Sequence, residues 1–201
     1  MNRWIRHHFS RTKRAKCLIL IGPTGTGKTS FALSLPGRVN YFKERWNLDQ
    51  WADHARYSVY DDIPWDDFSK LNYPNKKSLL TQNGKMNATD KYRTTKEINV
   101  RQPAIVPLNP EDAGSLLAEP TTLQEQQTAL YWKERALIYI MNENEYFFKR
   151  SRSHHHHQAT TTATTDEHLS GSSSTDSNDV RLGELDEFDQ MIHRYQQKHH
   201  P

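Results

Sequence analysis

A single cysteine, Cys17, stands in the 201-residue sequence, so no internal disulfide can staple the fold. It sits in an apolar run and reads as a small core residue of a reducing compartment. Long hydrophobic runs are also missing. The run Cys17 to Ile21 falls far short of the roughly 20 residues a membrane-crossing helix needs. The opening MNRWIRHHFS has no hydrophobic signal core, so a soluble, intracellular protein is expected. Acids are absent before Glu44, a stretch that carries nine Lys and Arg. Residues 151–201 reverse the balance with four Lys/Arg against eight Asp/Glu, net −4, which leaves +7 for residues 1–150. A basic body suits a polyanion such as nucleic acid, although a solvated basic arm would give the same count. The run RTKRAK at 11–16 fits a nuclear import signal, and a nuclear location is expected.

Apolar residues make up only 34% of the chain, at a mean hydropathy of −0.94, too little for packing throughout. The shortage is concentrated. Between Gln158 and Asn178, 11 of 21 residues are Ser or Thr and Leu169 is the only bulky apolar side chain. Ordering such a stretch would cost backbone entropy with nothing to bury in return. The expected organisation is therefore a basic lead-in at 1–15, one domain at 16–150, and a low-complexity, largely disordered tail at 151–201. The tail ends in an amphipathic stretch with Leu182, Leu185, Phe188, Met191, Ile192 and Tyr195, and its run His154–His157 has no second ligand cluster of fixed spacing, so no metal is assigned to it.

Against these absences stands GPTGTGKTS. Gly22, Gly27, Lys28 and Thr29 fit G-x-x-x-x-G-K-[ST], a loop whose backbone N–H groups cradle nucleotide phosphates. Gly22, Pro23, Thr24, Gly25, Thr26, Gly27, Lys28, Thr29 and Ser30 are the expected nucleotide-binding residues. KCLILI before the loop reads as a buried strand, and TSFALSL after it as a helix that Pro36-Gly37 stops. Strand, loop and helix follow in the order this motif requires.

RYSVYDDI at 56–63 reads as a second strand, ending in Asp61-Asp62. In an open parallel sheet, acids at the carboxyl end of a core strand lie beside the phosphate loop. One can hold Mg²⁺ with the Thr29 hydroxyl and the next can orient or deprotonate the attacking water. Without the loop upstream, the pair would simply cap a turn before Pro64. PAIVPLN at 103–109 is a third strand, and Asn109 at its tip can hydrogen-bond a γ-phosphate or the attacking water; Asn109-Pro110 also reads as a plain turn. Between these strands, Lys91, Arg93, Lys96 and Arg101 interleave with Tyr92, and alternation in KEINV suggests the return arm of a hairpin. Cations for phosphates beside a stacking face are what tracking of a single strand requires; a solvated hairpin is the other reading.

In the order GPTGTGKT, YDDI, ATDKYR, PAIVPLNPED, the chain resembles the superfamily 3 helicase half of the replication initiators of small circular single-stranded DNA viruses, the genomovirus and geminivirus group above all. The resemblance covers residues 10–148 and includes ALYWKERALIYI. It implies an α/β P-loop NTPase fold with a mostly parallel central sheet flanked by helices, and ATP with Mg²⁺ as cofactors. It implies that Lys28 neutralises the β- and γ-phosphates, that Thr29 and Asp61 hold magnesium, that Asp62 positions water and that Asn109 acts as sensor. By the same resemblance Lys91, Tyr92 and Arg93 contact single-stranded DNA, and Arg135 reaches the nucleotide of a neighbouring subunit in a ring.

The activity so implied is that of an ATP-dependent single-stranded DNA helicase. Departures from the family pattern are the absence of its endonuclease motif, so the chain is not expected to nick DNA, and Asn99, Val100 and Arg101 where glycines are frequent. Pro107 also removes a ladder donor from a strand expected to be central. These departures suit an inactive or weakly active viral-derived relic that binds nucleic acid without motor activity as much as they suit a working motor. A small P-loop phosphotransferase is the other alternative.

Overall fold

The computed structural model describes residues 2–11, 14–90 and 95–147. In chain order the elements are α1 (Asn2–Trp4), continued by a π turn to Phe9, then β1 (Cys17–Ile21), α2 (Lys28–Leu33), β2 (Val39–Lys43), β3 (Tyr57–Asp61), α3 (Lys76–Leu80), β4 (Gly84–Ala88), β5 (Lys96–Val100), β6 (Ala104–Leu108), α4 (Leu123–Arg135) and β7 (Ala136–Ile140). The expected tail, with its histidine run and amphipathic end, lies outside the described residues. Among the described residues no helix is long and apolar enough to cross a membrane.

Every residue of β1, β3 and β6 is buried, as happens to parallel strands covered on both faces. They form a five-stranded sheet in the order β2-β3-β6-β1-β7, with every neighbouring pair parallel. Successive side chains alternate between two cores. Cys17, Ile19, Ile21, Phe42, Tyr60 and Val106 face one that also takes in Trp46, Trp51, Trp65 and Trp132. Leu18, Leu20, Tyr57, Val59 and Ile105 face the other, covered by Ala32 and Leu35 around α2. The α/β P-loop class expected from the sequence is the fold observed.

Residues 2–9 are not a detached lead-in. Trp4 is fully buried and Phe9 nearly so, both in the α2-side core. The Trp4 indole donates to the Lys16 carbonyl at 2.6 Å, and the Phe9 ring lies 5.4 Å from that of Tyr57. The basic residues around them face outward while the two aromatics turn in, so charge alone placed the boundary at residue 15 too late.

β4 and β5 pair antiparallel, from Gly84↔Val100 to Ala88↔Lys96, which is the expected hairpin. Ala88, Ile98 and Val100 bury against the tryptophan-rich core. The hairpin is tied to the segment after β2, because the Asn99 amide donates to Asp53 Oδ1 at 2.9 Å and the Leu48 amide to Asp90 Oδ2 at 3.4 Å.

The position of Pro107 corrects the expectation of a damaged strand. β6 is the central strand, yet its register with β3 ends at Val59↔Ile105, whereas its register with β1 continues to Leu20↔Pro107 and Ile21↔Leu108. The N–H and C=O of one residue point to the same side of a strand. Pro103 accepts from Ser58 on the β3 side and Leu108 accepts from Gly22 on the β1 side, so the donor that Pro107 lacks faces β3, beyond the last pair. The strand stays intact where it matters for presenting Asn109.

Candidate active site

The parallel register brings the carboxyl ends of β1, β3 and β6 together, and the three sequence motifs sit on those ends. The loop after β1 turns on Gly25 and Gly27, both at positive φ near +80°, a conformation that side chains with a Cβ resist. Thr26 is buried and donates to the Pro23 carbonyl at 2.8 Å, bracing the turn. Lys28, the first residue of α2, is buried. Its three N–H bonds all have acceptors, the carbonyls of Gly22 at 2.6 Å and Pro23 at 2.8 Å and Asn109 Oδ1 at 3.2 Å. Burial pulls the Lys28 pKa below the usual lysine value, and the charges of Asp61, Glu111 and Asp62 pull it back up.

Asp61 closes β3 almost fully buried, at 4% exposure. The Thr29 hydroxyl donates to its Oδ1 and the Tyr41 hydroxyl to its Oδ2, each at 2.8 Å. A buried carboxylate so held has a donor for each oxygen. Asp62 is different in kind. Its φ is +53°, uncommon for a residue with a side chain, and it projects half-exposed to pair with Lys43 at 3.2 Å. Neighbouring acids therefore occupy two environments, one dry and hydroxyl-bound, the other wet.

Asn109 follows β6. Its Oδ1 accepts from Lys28 and, at 3.2 Å, from the Thr24 hydroxyl, while Nδ2 faces Asp112 Oδ2 at 3.4 Å. Cationic and hydroxyl donors on one side and a carboxylate on the other fix the orientation of the amide. Thr24, Lys28, Thr29, Asp61, Asp62 and Asn109 all line one cavity of about 430 Å³, with Gly25, Gly27 and Ser30. Thr29 and Asp61 offer hard oxygen donors, the set Mg²⁺ takes from a protein when phosphates and water complete its shell. Among the described residues no cluster of three His, Cys, Asp or Glu could hold a metal alone. A larger cavity of about 640 Å³, between Trp65, Leu116 and α4, contains none of these residues.

No family model matches the chain. The replication-associated protein of Bean yellow dwarf virus is 32% identical over 137 residues, 68% of this chain and 37% of that protein. That of Tobacco yellow dwarf virus is 30% identical over 135 residues, 67% of this chain and 36% of the relative. The chain is a relative of these viral replication-associated proteins. It spans little more than a third of the length of the curated relatives it matches. A solved JCV helicase structure aligns at 21% identity and a TM-score of 0.33, over 57% of this chain and 34% of that one.

The expected residues are not all in one place. Lys91, Tyr92 and Arg93 lie outside the described residues, between β4 and β5 in the sequence. Arg135 ends α4 where β7 begins, and Cys17↔Ala136 is the first pair of β7 with β1. It stands at the amino end of the sheet, roughly 16 Å of strand away from the phosphate loop. The structure does not bring it to the site of its own chain. Two side chains at the site carried no sequence signal, Tyr41 on Asp61 and Lys43 on Asp62. Both come from β2, whose partnership with β3 sets Lys43 opposite Asp61.

Proposed function

We propose that the chain is an ATP-dependent motor on single-stranded DNA, the helicase part of a rolling-circle replication initiator, working in the nucleus. The observation that carries this reading is the convergence of Lys28, the Thr29–Asp61 pair and Asn109 on one cavity from three separate strand ends. A γ-phosphate entering the loop would replace the Gly22 and Pro23 carbonyls as acceptors for Lys28, exchanging neutral partners for a charged one. Thr29 and Asp61 would hold Mg²⁺, which supplies charge neutralisation at the β- and γ-oxygens when bound. Asp62, left in contact with solvent, would orient the attacking water. Asn109, already bonded to Lys28 and Thr24, would sense whether the γ-phosphate is present. Lys91, Tyr92 and Arg93, between β4 and β5 in the sequence, would follow the strand through phosphate contacts and stacking, and Arg135 would act only on the site of a neighbouring subunit in a ring.

The test is ATP turnover with and without a single-stranded oligonucleotide. Lys28→Ala should lower turnover by about 10²-fold or more, as loss of a transition-state charge partner does, with the melting temperature nearly unchanged. Lys91→Ala should keep basal turnover and lose stimulation by DNA. Unaltered turnover in Lys28→Ala would overturn the ATPase assignment, and absence of any DNA response in the unmodified chain would overturn the motor.

A further inference from the structure

We propose that Tyr41 is a positioning residue for magnesium: its hydroxyl fixes the Asp61 carboxylate by Oδ2 and so presents Oδ1, beside the Thr29 hydroxyl, to the cation. This rests on the reading of Thr29 and Asp61 as the magnesium-holding pair. A carboxylate turns easily about its terminal torsion, whose energy profile is broad. Asp61 has two anchors against that freedom, Thr29 on Oδ1 and Tyr41 on Oδ2. The first cannot persist unchanged once Oδ1 and the Thr29 oxygen both face a cation, because the Thr29 proton must then turn elsewhere. The Tyr41 hydroxyl is the side-chain contact that remains.

β2 is built to hold that hydroxyl still. Tyr41 and Lys43 lie on one face of the strand and reach toward Asp61 and Asp62, while Phe42 points the opposite way. The Phe42 ring stacks on Trp46 at 4.8 Å and on Tyr60 at 5.4 Å, so the strand cannot slide along β3 without breaking an aromatic stack. The Tyr41 ring packs on the α2-side core.

Outer-shell hydrogen bonds to metal ligands are typically worth 10- to 100-fold in metal affinity. The experiment is binding of a fluorescent ADP analogue to the full chain, first in chelator and then over a rising Mg²⁺ series, for the unmodified protein, Tyr41→Phe and Asp61→Asn. Tyr41→Phe keeps the ring and removes only the hydroxyl. It should bind the analogue normally in chelator yet need about tenfold more Mg²⁺ for the same gain in affinity. An unchanged Mg²⁺ midpoint, or an equal loss with and without Mg²⁺, would overturn the role of Tyr41. If Asp61→Asn shifts the midpoint and Tyr41→Phe does not, only the inference on Tyr41 falls. If neither variant shifts it, or the unmodified chain shows no Mg²⁺ response, the magnesium reading of Asp61 falls as well.

Discussion

A Cβ built on Gly22 would stand 2.7 Å from the Met141 sulfur and 2.8 Å from the Met141 Cβ. The sulfur could move aside, but the Cβ is fixed by the backbone, whose amide donates to the Ile21 carbonyl at 2.8 Å. Gly22→Ala should therefore cost about 1–3 kcal/mol of stability, as overpacking does, and weaken nucleotide binding by displacing the loop. Met141→Ala added to it should recover little of the binding, because only the sulfur and Cγ contacts are then relieved and the 2.8 Å contact with Cβ stays; thermal melts and nucleotide titrations on the single and double variants check this. Lys28, Thr29, Asp61 and Asn109 were legible in the sequence because each lies in a short motif whose chemistry is written in consecutive residues. Tyr41 and Lys43 were not, since nothing within VNYFK marks them. Their partners arrive 18 or more residues later in the sequence and meet them only through the β2–β3 register. Arg135, conversely, came from resemblance alone, and no contact within its own chain could have located it.

At the level of elements, helix α4 passes into β7 with no turn between them. Ala136 is the C-cap of the one and the first residue of the other, at φ −124° and ψ 158°. ALYWKERALIYI holds neither glycine nor proline that would end a helix. The switch at Ala136 is imposed by pairing with β1 along five residues, a tertiary effect that local pattern cannot report. β1 and β6 were visible because strands buried on both faces read as apolar runs, β3 because RYSVYDDI alternates aromatic and aliphatic residues, and the hairpin because β5 alternates. Pro107 illustrates the reverse error, in which a correct rule about proline met a strand whose β3 neighbour had already parted from it. Pro107→Thr would restore an N–H facing β3, where the Tyr60 carbonyl is next in the alternation. The expected result is a gain of about 0.5–1.5 kcal/mol, together with weaker nucleotide binding. The added bond would draw β3 and β6 together at the mouth of the cavity, which Pro107, Asp61 and Asn109 all line. Melting and nucleotide affinity measured on the same variant decide it, and higher stability with unchanged affinity would show that the splay is irrelevant to binding.

At the scale of the molecule, β1 is covered on both edges by strands from far along the chain, β6 beginning at Ala104 and β7 at Ala136. A fragment ending at residue 100 would leave both edges of an apolar strand bare. It should show no cooperative melting transition and should aggregate; a reversible, cooperative melt of that fragment by circular dichroism would contradict the account. Sheets closed by such distant pairings also fold slowly, since loop closure precedes the contacts that offset it. The loop at residues 22–29 depends on the same late arrivals. Met141 seats beneath Gly22, and the Phe147 amide donates to the Thr26 carbonyl at 2.8 Å. On the ribosome, then, the motif is made early and finished late. A nascent chain carries the whole loop sequence long before it has the support that gives that sequence its shape, so under the proposed function nucleotide binding would report that synthesis has run past residue 147.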